Sequence, residues 1–266
     1  MKIRKRSINI KIALIVTIML MMTTTVNAES TQNKNCNNLK EVLIDSFIQI
    51  NNIIKKEVLY DNNFNLLKSK TVYYGLGNTL KKYINNDNRD YNWYIDQGNT
   101  GQFAYENCGP SSAAMAVNWY YNSINKTAED ARSRYWLSGG WWYTYNIEDY
   151  LKENNVPVNQ TEIDNEGTLI KELDKGKIII MCIDTGYIPY DSNSRKNKFY
   201  EYSGGHFIVV KGYAEVDDNI YFEVYDPNNQ GKQYGGGQYM GKDRYFDSKS
   251  LLKSAENWWK YILVVG

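Results

Sequence analysis

The chain of 266 residues has one histidine and three cysteines. A single imidazole excludes any zinc site built on two or three histidines. Three cysteines exclude the disulfide framework of a small stapled domain, and also a four-cysteine zinc or iron–sulfur site. No basic patch marks a nucleic-acid partner, and the acidic pair Asp217-Asp218 lacks calcium-loop spacing. No cofactor or metal is therefore expected. Charged residues at 23% and hydrophobic residues at 42% fit a globular chain and exclude a disordered one. If there is a reactive histidine, His206 is the only candidate.

The first 28 residues read as targeting, not fold. Lys2, Arg4, Lys5, Arg6 and Lys11 make a basic start, Ile12 to Met22 an apolar run, and Val26-Asn27-Ala28 a small-residue cleavage site. This is the three-part plan of a secretory signal, and the apolar run is short for a membrane span. Cleavage after Ala28 takes five cations from a total of 31, leaving 26 against 30 acidic residues. The expectation is a secreted bacterial protein with no stable membrane association after signal cleavage. An odd number of cysteines then leaves at least one thiol unpaired in an exported chain. Cys36 and Cys182 are the pair that a disulfide would join if one forms.

Residues 29–90 form a helical N-terminal segment. Leu39, Val42, Leu43, Phe47, Ile50, Ile53 and Ile54 recur at three and four residues, so Asn38 to Lys56 reads as an amphipathic helix, with a weaker helical pattern from Asn65 to Tyr83. The segment is either extra helices packed on the main domain or a removable pro-segment. The polar run Asn85 to Asp90 marks a boundary, and residues 91–266 form the main domain. There the spacing predicts helices over Pro110 to Tyr121, Ile147 to Asn154 and Glu166 to Asp174. Strands are predicted over Lys177 to Ile183, His206 to Tyr213, Asn219 to Tyr225 and Trp258 to Val265. Helices first and strands later predict an α+β domain.

The strongest chemical signal surrounds Cys108. Pro110 favours the first turn of a helix, which places Cys108 at its N-terminus, where the helix dipole favours a thiolate. His206 follows Gly204-Gly205 and heads an apolar strand run, so its imidazole rests on a rigid support from which it can exchange a proton with a thiol. Asp226 ends the next strand and, across a hairpin, can orient that ring. Gln102, six residues before Cys108, carries an amide that with the Cys108 N–H could hold an oxyanion. Cys182 sits in an apolar strand run and reads as a core thiol. Trp136, Trp141, Trp142 and Tyr143 read either as core or as the wall of a cleft, Trp258-Trp259 as core, and Tyr234 to Gly237 as a loop that could border the cleft.

Gln102, Cys108 at a helix start, Gly-His on a strand and Asp before Pro together resemble the papain superfamily of cysteine peptidases. The runs Cys108 to Met115, Gly204 to Tyr213 and Asp226 to Asn228 resemble more narrowly its bacteriocin-processing, double-glycine leader peptidase-like branch, over about residues 93–266. Tyr105 stands where papain-type signatures have a second cysteine. The resemblance implies a papain-like fold with the nucleophile's helix packed on an antiparallel sheet. It also implies Cys108 as nucleophile, His206 as base and acid, Asp226 as orienting residue and Gln102 as oxyanion donor. The expected activity is hydrolysis of peptide bonds in a peptide or protein substrate through a thioester. The same site could instead serve an amidase, a peptidoglycan hydrolase or an acyltransferase, or the fold could be an inactive binding module.

Overall fold

The computed structural model of the chain describes residues 35–266, apart from residue 88 and residues 124–125. The expected signal at 1–28 lies outside the described residues. The chain divides into two compact units, Met1–Leu59 and Tyr60–Gly266. Helix α1 spans Asn35–Lys68, longer than the Asn38 to Lys56 that periodicity indicates. Val42, Phe47 and Ile53, three positions of its expected apolar stripe, are exposed.

The second expected helix, Asn65 to Tyr83, does not form. Gly75 and Gly77 take positive φ values of 75° and 134° and break it. A side chain at Gly77 would run into Asp217, whose carboxylate accepts the amides of Asn78 (2.6 Å) and Thr79 (2.9 Å). The chain then enters strand β1, Leu80–Asn85, which belongs to the central sheet. Part of the segment expected to precede the main domain is thus built into its sheet.

The remaining elements are α2 (Cys108–Tyr121), α3 (Ala128–Arg134), α4 (Thr144–Glu153), β2 (Val158–Glu162), α5 (Glu166–Asp174), β3 (Ile178–Asp184), β4 (Gly205–Val216), β5 (Asn219–Tyr225), β6 (Arg244–Asp247), α6 (Ser248–Glu256) and β7 (Tyr261–Val265). The sheet has seven strands, six in the order β2-β7-β3-β4-β5-β6 and β1 paired to β4, and every pairing is antiparallel. Strand β4 is its spine. Gly205 to Val210 pair with β3, Gly212 to Val216 pair with β1, and β5 lies along the other edge.

Helices cover the sheet on both faces, so β3 is buried on both sides and reads as an unbroken apolar run. Alternation sorts its side chains. Ile178, Ile180 and Cys182 join Phe207, Val209 and Leu263 against Met115, Ala116 and Val117 of α2. Ile179, Met181 and Ile183 join Ile208 and Val210 against Leu169 and Leu173 of α5 and Leu251 and Ala255 of α6. Ser111, Ser112, Ala113 and Ala114 of α2 are fully buried, and their small size brings that helix close to the sheet. The result is the α+β arrangement that the papain-like resemblance implies, with the cysteine-bearing helix laid on an antiparallel sheet.

Candidate active site

Cys108 is the first residue of α2 and is almost fully buried. Pro110 fits the first turn because its missing N–H has no partner to lose there. No side chain caps this helix start, because Asn107, which precedes it, is committed elsewhere. Its Nδ2 donates to the Thr100 carbonyl (3.1 Å) and hydroxyl (2.9 Å), and its Oδ1 accepts from Arg132 Nε at 2.8 Å. Arg132, itself buried, donates onward to the Gly140 carbonyl (2.7 Å) and the Glu106 carbonyl (2.9 Å). One guanidinium therefore ties the loop before Cys108 to the loop that carries Trp141 and Trp142. The sequence reading passes over Arg132, since its partners are a side chain and two carbonyls distant along the chain.

His206 and Asp226 come together through the β4–β5 hairpin, and both are buried. His206 Nε2 lies 2.7 Å from Asp226 Oδ1. That oxygen also accepts the Asn228 amide at 2.9 Å, while Oδ2 accepts the Tyr200 hydroxyl at 2.9 Å. The backbone of Asp226 is pinned as well, its carbonyl by the Tyr94 hydroxyl and its N–H by the Gly241 carbonyl. Cys108 lies near enough to the ring to favour its protonated form. With Nε2 held by Asp226, Nδ1 is the nitrogen left to face the thiol.

Burial opposes charge on both groups, but their attraction outweighs it. The Asp226 carboxylate, helped by Cys108, pushes His206 up to about 10, and the imidazolium with its hydrogen bonds holds Asp226 below the usual carboxylate range. The pair is therefore ionic at neutral pH.

Cys108 opens on a cavity of about 630 Å³ walled by aromatic side chains, among them Trp141, Trp142, Tyr143 and Trp258. Of the two readings of the Trp136 to Tyr143 cluster, the cleft wall is the one the fold supports for Trp141, Trp142 and Tyr143; Trp136 stands outside that wall. Trp258, read from sequence as core, is 54% exposed and lines the cavity. Cys182 lies in the same wall as a free thiol, raised well above the ordinary thiol range by burial and then by the neighbouring Cys108. The loop Tyr234 to Gly237 is not part of the wall, and Tyr234 instead accepts from Arg244 at 2.6 Å.

Gln102 is exposed and is not one of the residues that line the cavity. The glutamine that the same loop buries is Gln97, whose Nε2 donates to the Ala104 carbonyl at 3.0 Å and whose buried Oε1 makes no hydrogen bond.

The family model described as the Peptidase_C39 like family matches residues 89–248. No curated protein matches the chain. Among solved structures, a C39-like peptidase from Bacillus anthracis aligns at 13% identity over 70% of this chain and 98% of its own, with a TM-score of 0.48. A mite-allergen structure, from a comparison of Blo t 1 and Der p 1, aligns at 13% identity over 76% of this chain and 77% of its own, with a TM-score of 0.43. UfSP from C. elegans aligns at 12% identity over 74% of this chain and 35% of its own, with a TM-score of 0.42.

Proposed function

The chain belongs to the Peptidase_C39-like family, and on that premise we propose that it is a secreted cysteine peptidase that cuts peptide bonds through a thioester on Cys108. The observation that carries the reading is the placement of Cys108 beside an imidazole whose far nitrogen is held 2.7 Å from Asp226, at the wall of a cavity large enough for a peptide.

The steps follow from the geometry. His206, kept as an imidazolium by its ion pair with Asp226, already holds the proton on Nδ1 that the leaving group will take, and its charge favours a thiolate on Cys108. The thiolate, at the uncapped N-terminus of α2, attacks the scissile carbonyl carbon. The tetrahedral oxyanion accepts the Cys108 backbone N–H; the exposed side chain of Gln102 is not assigned to it. The intermediate collapses, the C–N bond breaks, and His206 gives its proton to the departing amine. His206 then takes a proton from water, the hydroxide attacks the thioester, and the C–S bond breaks to release the acid and restore the thiolate beside the imidazolium.

Export is supported by the basic start and apolar run of residues 1–28. It also fits a chain with an unpaired thiol kept for catalysis. N-terminal sequencing of the secreted protein is expected to begin at Glu29.

The test of the chemistry is Cys108→Ala. Peptide hydrolysis falls by about four orders of magnitude or more, with an unchanged circular dichroism spectrum. In the native protein, iodoacetamide labels Cys108 and abolishes turnover. Turnover surviving in the variant would overturn the mechanism.

A further inference from the structure

The two glycines that adjoin the proposed catalytic residues share a feature. A side chain at Gly109, next to Cys108, would meet Trp142 Cβ at 2.8 Å, and one at Gly205, next to His206, would collide with the Trp258 ring. Each glycine makes room for a tryptophan, and both tryptophans line the same cavity. The cavity wall is therefore packed directly on the backbone of the thiol and of the imidazole.

The cavity's chemistry is one-sided. Trp141, Trp142, Trp259, Phe207, Tyr202 and Trp258 dominate its lining, and among the described residues no Asp, Glu, Lys, Arg or His contributes to it. The contrast is a smaller cavity of about 250 Å³, lined by Lys70, Asp87, Arg195, Glu223 and Asp243 among others. A charged side chain entering the aromatic cavity would be desolvated without a partner. A glycyl residue would leave most of its walls without contacts. An aromatic or large aliphatic side chain would meet rings on several sides. The wall also holds an unanswered donor: the indole N–H of Trp142 is buried and makes no hydrogen bond.

We propose that this cavity selects peptides carrying an aromatic or large aliphatic side chain next to the scissile bond, with Trp258 and Trp142 as the residues that set the preference. The proposal rests on the peptidase reading for what happens to the bound peptide, but not for what binds. Trp142 is a buried, fixed wall, whereas Trp258 is half-exposed and stands against Gly205. Trp258 can thus be altered with little cost to the fold.

The experiment measures binding by calorimetry to the full-length Cys108→Ala protein. The probes are acetylated tripeptide amides of alanine in which Phe, Leu, Gly, Asp or Lys occupies each position in turn. At one position the Phe and Leu peptides bind at least about 10-fold more tightly than the Gly, Asp and Lys peptides. Trp258→Ala removes that difference and Trp258→Phe keeps most of it. Equal affinity for all five residues at every position, or an unchanged preference in Trp258→Ala, overturns the proposal. The native protein then reports on the chemistry separately. Selective binding without cleavage overturns the peptidase reading and leaves the cavity assignment standing. Cleavage of the Gly, Asp or Lys peptides as readily as the Phe peptides overturns the cavity assignment alone.

Discussion

Two buried ion clusters bridge β4 to β5 or to the residue just beyond it, and they are built alike. In one, His206 faces Asp226 and the Tyr200 hydroxyl donates to the second carboxylate oxygen at 2.9 Å. In the other, Lys211 lies 2.9 Å from Glu223 Oε1 and the Tyr83 hydroxyl donates to Oε2 at 2.7 Å. Lys211 occupies the register shift between Val210 and Gly212, where it also meets Asp243 at 3.0 Å and Asp87 at 3.4 Å. Burial works against its charge, yet Asp243, Glu223 and Asp87 hold it protonated well above the lysine range. A buried, strongly shifted charge pair is therefore not what singles out a reactive site in this molecule, since both clusters have one. The first adjoins a thiol at a helix N-terminus and an uncharged cavity. The second encloses a cation held by three carboxylates and the Tyr225 ring, and it presents no nucleophile.

The sharpest test of that contrast exchanges the damage. His206→Ala should lower kcat/KM per folded molecule by about four orders of magnitude, as loss of a catalytic imidazole does, and should also lower stability because Asp226 is left buried without its cation. Lys211→Met should lower stability alone. It leaves the buried Glu223 and the half-buried Asp87 and Asp243 without their cation, which costs about 3–5 kcal/mol of stability in urea unfolding, while kcat/KM per folded molecule stays within about twofold. A Lys211→Met protein that is stable but inactive would break the distinction.

The two clusters should also separate in pH. The folded His206 sits near 10, above its ordinary 6.5. Its contribution to stability is thus complete below about 6.5 and is lost as pH rises through about 10. Lys211 is held above 10.5, so its contribution persists across that window. The urea midpoint of the native protein is expected to decline from pH 7 to 10, Lys211→Met to show the same decline from a lower start, and His206→Gln to show a flatter profile. Parallel slopes in all three would show that His206 carries no such ion pair.

The smallest effects belong to the two tyrosines. Tyr200→Phe removes one hydrogen bond to Asp226 and should lower kcat/KM by about 10-fold. Tyr83→Phe removes the matching bond to Glu223 and should cost about 1–2 kcal/mol of stability with no change in rate.

Much of the site was legible in the sequence because its cues are local. Pro110 after Cys108, the glycines before His206 and the hairpin that returns to Asp226 each declare a short-range conformation, and α5 and β5 have the bounds that their patterns predict. Strand β1 was not legible. Leu80 to Asn85 carries two lysines and two polar or amphipathic residues, and it becomes a strand because the far half of β4 offers it a pairing edge. The same holds for Arg132, whose partners span residues 106 to 140. It holds too for Trp258, whose place opposite Gly205 depends on strands that meet only in the sheet.

By itself the sequence determined which reactive groups the chain possesses and how each is presented: one imidazole at the head of a strand, one thiol at the start of a helix, an aspartate after a hairpin. Those follow from backbone preferences that act over a few residues. Only the tertiary structure decided that Gln102 faces solvent, that Cys182 shares a wall with Cys108, and that the cavity between them is aromatic and uncharged. Such outcomes depend on which distant surfaces exclude water together, and local preference along a chain does not carry that information.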